Sequence, residues 1–131
     1  MTVPLPAARD ALLAAFSKAL FARDVTALYR TVTPDFVWRL PIGPDAPHAR
    51  EIASPAQLAA YFDERERRYD GVRFHDVVYH HAPEATFMTF RVAAKRKDGG
   101  APVDALGMER YLFRDGLILL KDAYWKRIGA E

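Results

Sequence analysis

Two carboxylates and one arginine in the second half of this 131-residue chain have the types and settings that acid–base chemistry requires. Glu109 lies in the run Leu106-Gly-Met-Glu-Arg-Tyr-Leu-Phe113, among apolar residues. A carboxylate withdrawn from water resists ionisation and can serve near neutrality as acid, base or protonated donor. The competing reading is an exposed or ion-paired glutamate on an outer sheet face. Asp122 would be the second acid of a carboxylate pair, or a partner for Arg110 or Arg127 at a subunit contact. Arg91 stands between Phe90 and Val92. A buried guanidinium there would clamp a carboxylate or enolate oxygen, or pair structurally with Glu109 or Asp122. Trp38 and Tyr61 are candidates for an aromatic pocket wall or for core packing, and the Tyr61 hydroxyl can reach a ligand. His48 follows a proline-rich stretch and is either a proton carrier near neutral pH or a solvated loop residue.

The faces these groups share depend on one hairpin. Asp115-Gly116 stands between two apolar-rich runs, and such a pair suits a type I′ turn with two positive φ angles. A tight turn pairs Arg114 with Leu117, and counting back then sets Glu109 opposite Asp122 and Arg110 opposite Lys121. Both are like-charge pairs, which are unfavourable unless a proton or a ligand intervenes. A bulge of one residue would instead set Glu109 opposite Lys121. The sequence leaves both registers open.

The elements that must carry these residues follow from periodicity. Residues 5–22 predict a helix, with Ala8, Leu12, Phe16 and Leu20 on one stripe and Arg9, Asp10 and Lys18 on other faces. Asp24 predicts the cap of a second helix near 25–31, stopped at Thr33-Pro34. Phe36 to Leu40 alternates as a strand, with Phe36, Trp38 and Leu40 on one face. The three prolines and Gly43 in 41–47 predict a loop at a pocket rim. Ser54-Pro55-Ala56-Gln57 is a capping box with proline in the first turn, opening a helix that Gly71 ends. Strands follow at 72–81 and 84–97. In the latter Phe87, Thr89, Arg91 and Ala93 take one face, and Met88, Phe90, Val92 and Ala94 the other. The order predicts an α+β domain spanning 1–131, with three helices on the concave face of a curved, antiparallel or mixed, cone-shaped sheet.

Composition narrows the function classes. Nineteen basic and 17 acidic residues leave a net charge of +2, too little to suggest nucleic acid as a partner. The triplet Lys95-Arg96-Lys97 reads as a solubilising turn, and Asp63 to Arg68 as a solvated helix face. No apolar run approaches a membrane span, and Met1 to Pro6 lacks a basic leader, so a cytoplasmic protein is expected. Cysteine is absent, and His75, His80 and His81 lack a spacing that gathers metal ligands, so neither disulfide nor metal is expected.

Three ordered segments carry a family resemblance. They are Thr33-Pro-Asp-Phe-Val-Trp-Arg-Leu-Pro41, Ser54-Pro-Ala-Gln-Leu58, and Tyr111-Leu-Phe-Arg-Asp-Gly-Leu-Ile118 with Tyr124-Trp125. Together they resemble the SnoaL-like polyketide cyclases of the nuclear transport factor two-like superfamily, the fold of ketosteroid isomerase. The resemblance implies a conical pocket, no cofactor, a small apolar ligand and a homodimer through the outer sheet face. It implies isomerase, cyclase or hydratase-type chemistry on a carbonyl compound, or a binding domain without turnover. The isomerase's general base aligns with Leu40 and its helix tyrosine with Phe16. Neither can move a proton, so both stand as ligand-contacting wall residues. Its protonated aspartate aligns near Glu109. The Arg and two Asp of limonene epoxide hydrolases align with Arg91, with Ala93 where an acid is needed, and with Asp122 or Ala123. Glu109, Asp122 and Arg91 are therefore the expected catalytic set.

Overall fold

The computed structural model describes residues 3–129; Met1, Thr2, Ala130 and Glu131, the ends of the expected 1–131 domain, lie outside the described residues. Three helices, α1 (Pro6–Ala22), α2 (Val25–Tyr29) and α3 (Pro55–Arg68), accompany six strands. The strands are β1 (Val32–Asp45), β2 (Ala49–Ile52), β3 (Tyr69–His81), β4 (Ala85–Arg96), β5 (Val103–Arg114) and β6 (Leu117–Arg127). They form one mixed sheet in the order β2-β1-β6-β5-β4-β3, in which only β1 and β6 run parallel. This is the expected α+β fold, a curved and unclosed sheet with three helices.

Local chemistry explains the helix starts. Asp24 accepts from Ala27 N at 3.0 Å, and Ser54 Oγ accepts from Gln57 N at 3.1 Å. Gln57 Oε1 reaches back to Ala53 N at 2.7 Å, one residue before the cap. Each bond satisfies a backbone donor that the helix leaves open.

Inner-face residues Phe36, Trp38, Met88, Phe90, Val92, Ala105 and Tyr111 join Leu13, Phe16, Leu20, Leu58 and Phe62 in one core. At about 25 cal/mol per Å² of apolar surface, this burial is the main force holding the helices to the sheet. Gly107 has a packing reason. Any Cβ there would overlap the Phe90 ring on the neighbouring strand.

Several expectations are corrected. The predicted loop at 41–47 is largely strand. β1 continues through Pro41 to Asp45, and its partner β2 was not foreseen. Proline is tolerated because β1 pairs irregularly with β2 between Leu40 and Asp45. The third helix ends at Arg68, while Gly71 falls inside β3 with φ of 60° at a shift in pairing. Arg9, predicted on an outer helix face, is 4% exposed. Its guanidinium donates to the carbonyls of Pro4, Ala82, Pro83 and Ala85 and to Thr86 Oγ1. It lies over the Phe113 ring. Charge is tolerated there because each guanidinium nitrogen meets oxygen.

The hairpin takes neither anticipated register. Asp115 and Gly116 do turn the chain with positive φ, and Arg114 pairs with Leu117 and Phe113 with Ile118. The pairing then shifts, and Leu112 meets Leu120. The extra residue, Leu119, belongs to β6. Beyond it Tyr111 faces Lys121, Arg110 faces Asp122 and Glu109 faces Ala123. The like-charge conflict is removed, because Arg110 gains an acid and Glu109 a small neutral neighbour.

Candidate functional site

Alternation along β5 puts Glu109 and Tyr111 on the inner face, and the shifted register brings Lys121 of β6 beside them, at a cavity of about 480 Å³. Trp38 and Leu40 of β1, Leu20 of α1, Tyr61 of α3, Val72 and Phe74 of β3, Val92 and Ala94 of β4 and Trp125 of β6 supply most of its apolar wall. Pro41, Ile42, Gly43 and Pro44 also line it, so the proline-rich segment is part of the pocket although it is extended chain. Phe74, Phe90 and Trp125 form a packed aromatic group, with Phe74 and Phe90 ring centres 4.8 Å apart.

The polar end of the cavity is one linked group. Lys121 Nζ lies 3.4 Å from Glu109 Oε1, and the residues are 2% and 1% exposed. The Tyr111 hydroxyl donates to the same carboxylate oxygen at 3.0 Å. The lysine ammonium also sits 4.1 Å from the Trp38 ring centre and 5.3 Å from that of Phe16. Aromatic faces attract a desolvated cation, which helps hold a buried lysine. Burial pushes the Lys121 ammonium below the ordinary lysine range; the Glu109 charge opposes that shift and the more distant Arg65 adds to it. Burial, and then the Glu109 charge, push the Tyr111 hydroxyl well above the usual tyrosine range. Tyr111 is therefore a neutral donor that steadies the carboxylate. Tyr61, edge-on to Trp38 at 5.2 Å, is likewise raised, chiefly by burial. The indole N–H groups of Trp38 and Trp125 are buried without an acceptor.

The expected catalytic set is not brought together. Glu109 reaches the cavity, but Asp122 and Arg91 lie on the opposite sheet face. Asp122 is 4% exposed and is held by Arg110 at 3.2 Å, Tyr124 at 3.0 Å and Arg39 at 3.8 Å. Arg91 is exposed and forms a two-bond pair with Asp104, at 3.1 and 3.0 Å. Alternation along β4 already put Arg91 opposite Phe90 and Val92; the structure shows that the apolar pair faces in. His48 sits exposed in the β1–β2 turn, outside the cavity lining. Trp38, Tyr61 and Leu40 line the cavity, whereas Phe16 lies one layer deeper, under the lysine. Among the described residues no group of three His, Asp or Glu side chains gathers as metal ligands, and no helix is long and apolar enough to cross a membrane.

Lys121 and Tyr111 were not foreseen as site residues. Lys121 carried one signal, a lone cation directly after the apolar run Leu117 to Leu120. Its face depended on the bulge at Leu119.

Fold and cavity together define a conical α+β pocket protein. The family model for the SnoaL-like domain matches residues 13–120, and the chain belongs to that family. Solved structures agree on the fold. An NTF2-like protein from Burkholderia xenovorans superposes with a TM-score of 0.75 at 15% identity, covering 91% of this chain and 89% of its own. A protein proposed to be a polyketide cyclase, from Xanthomonas campestris, gives 0.71 at 18% identity, covering 91% and 90%. A steroid delta-isomerase from Pseudomonas aeruginosa gives 0.62 at 19% identity, covering 95% and 84%. No functionally curated protein matches the chain.

Proposed function

We propose that this is a cytoplasmic small-molecule enzyme that needs no cofactor and moves a proton beside a carbonyl group of a largely apolar substrate. The observation that carries the reading is the buried Lys121–Glu109 pair at the polar end of an otherwise apolar cavity. Glu109 takes the proton next to the carbonyl. Lys121 lies within reach of the same place and stabilises negative charge growing on the carbonyl oxygen, the role first assigned to Arg91. In a site shielded from water such charge stabilisation is worth far more than in solution. Tyr111 fixes the carboxylate. The unpartnered Trp38 and Trp125 N–H groups mark a wall that lacks acceptors, which suits a ligand bearing oxygen.

The test is hydrogen–deuterium exchange of the acetophenone methyl group in heavy water, followed by NMR. The protein is expected to accelerate exchange, and Glu109→Gln to remove the acceleration by about a hundredfold or more, the usual range for a lost general base. Exchange that survives Glu109→Gln would refute the assignment.

The second reading is a binding domain without turnover. It is favoured by Leu40, which lines the cavity where the resembled isomerase holds its base and has no group to accept a proton. Under that reading acetophenone binds but does not exchange.

We also propose a homodimer through the outer sheet face. Leu106, Met108 and Tyr124 are 50%, 38% and 56% exposed there, around the Asp122–Arg110–Arg39 group. Exposed apolar side chains gathered on one face suit a contact with a second copy. Light scattering on the pure protein reads the mass, and Leu106→Lys is expected to shift it to the monomer.

A further inference from the structure

The cavity is charged unevenly along its length. At the polar end the Lys121 and Glu109 charges offset one another. Elsewhere the lining holds four guanidinium groups, Arg50, Arg65, Arg68 and Arg127, and a single carboxylate, Glu64. Glu64 is shared, at 3.1 Å from both Arg50 and Arg68. Arg65 and Arg127 have no carboxylate partner within ion-pair distance among the described residues. Arg65 lies over the Phe21 ring instead. Arg65 nevertheless belongs to the cavity lining. The acids of the neighbouring cleft, Glu66 and Asp70, do not line this cavity, and Glu66 is held by Arg23.

This excess is local. The whole chain carries a net charge of only +2, whereas this part of the lining sets four guanidinium groups against one carboxylate. Cationic groups on low-dielectric walls concentrate anions at a cleft. Along β6, Arg127 stands about 20 Å from Lys121 at the usual rise per strand residue. Between them on the same strand stands Trp125 of the cavity lining, and Val92 of β4 is level with Arg127.

From this arrangement we infer that the natural ligand is an amphipathic anion. Its carboxylate or similar head pairs with Arg65 and Arg127 at the mouth, and its apolar body runs inward toward Lys121 and Glu109. The inference rests on the pocket reading above and adds the charge and polarity of the ligand. A neutral apolar compound leaves the mouth cations unpaired, and a cationic amphipath is repelled there.

The experiment compares decanoate, decanol and decylamine by titration calorimetry on the intact protein, below the concentrations at which they aggregate. Decanoate is expected to bind about tenfold more tightly than decanol, equal to about 1.4 kcal/mol, and decylamine more weakly than either. The preference should shrink at high salt. Arg65→Gln with Arg127→Gln should abolish it. Equal binding of decanoate and decanol, or a preference that survives the double variant, overturns the inference and leaves the pocket reading intact. Absence of binding by all three overturns both. A circular-dichroism melt of the double variant confirms that it is folded.

Discussion

Glu109→Gln tests the site through stability as well as activity. The substitution keeps the shape and leaves Lys121 buried, at 2% exposure, with no counter-charge. Removing one member of a buried pair usually costs about 3–5 kcal/mol, because the other charge remains desolvated. Here the Trp38 and Phe16 faces stay in place, and a desolvated cation–π contact offsets up to about 2 kcal/mol. With the full offset the expected loss at pH 7 is about 1–3 kcal/mol. The pH dependence has a definite sign. Burial already lowers the Lys121 pKa from 10.5, and the glutamate charge opposes that shift. Without Glu109 the folded-state value falls further, whereas the unfolded chain keeps the ordinary one. The unfolded state then binds more protons, so stability rises with pH. The deficit is full below the folded pKa and is recovered as pH rises toward 10.5. Urea denaturation followed by tryptophan fluorescence, at pH 7 and at about pH 9.5, should show the variant regaining more than half of its loss relative to wild type. Adding Lys121→Met should restore stability at pH 7, since no charge then remains to be desolvated. A loss below about 1 kcal/mol at pH 7, with no recovery in alkali, would mean that the pair is solvated and would refute the buried-site reasoning.

Arg9→Met should lower stability by about 3 kcal/mol, since it orphans several buried carbonyl groups at once; a thermal melt reads the loss. Gly107→Ala should cost about 2–3 kcal/mol by forcing Phe90 from its place. Because Phe90 packs on Phe74 and Trp125, it should also weaken ligand binding, measured by calorimetry on the folded variant. Asp35, bonded to Arg114 at 2.9 and 2.5 Å, has its carboxyl held down at about 2 by that guanidinium. Carbon-detected NMR should find it titrating there, and Arg114→Gln should return it toward the ordinary aspartate value. Any stability it adds is present above the unfolded value and is lost as pH falls toward about 2.

Much of the fold was legible because short-range chemistry writes it directly. Asp24 and Ser54 satisfy backbone donors that every helix start exposes, and alternation divides Met88, Phe90, Val92 and Ala94 from Arg91 whatever the sheet does with them. The Asp115-Gly116 turn was legible for the same reason, since few residue pairs adopt positive φ so readily. β2 was not legible, because a four-residue strand gains its stability from the partner it pairs with, not from its own sequence.

The site divides along the same line. Glu109, Trp38, Tyr61 and Leu40 were visible as residues that a pocket would use, and the structure gathers them at one cavity. Which charge accompanies Glu109 was a tertiary decision. The extra residue at Leu119 shifts the ladder by one, and a side-chain period of two turns that shift into a change of face. Lys121 is thereby buried against Glu109, and Asp122 is turned outward to Arg110 and Arg39. Arg9 was decided in the same way, because only the assembled β3–β4 turn offers the carbonyls that let its charge leave water. The chain alone determines which groups are available and which neighbours share a face. Whether a charge is buried depends on partners distant in sequence, and only the folded sheet brings them within hydrogen-bond distance.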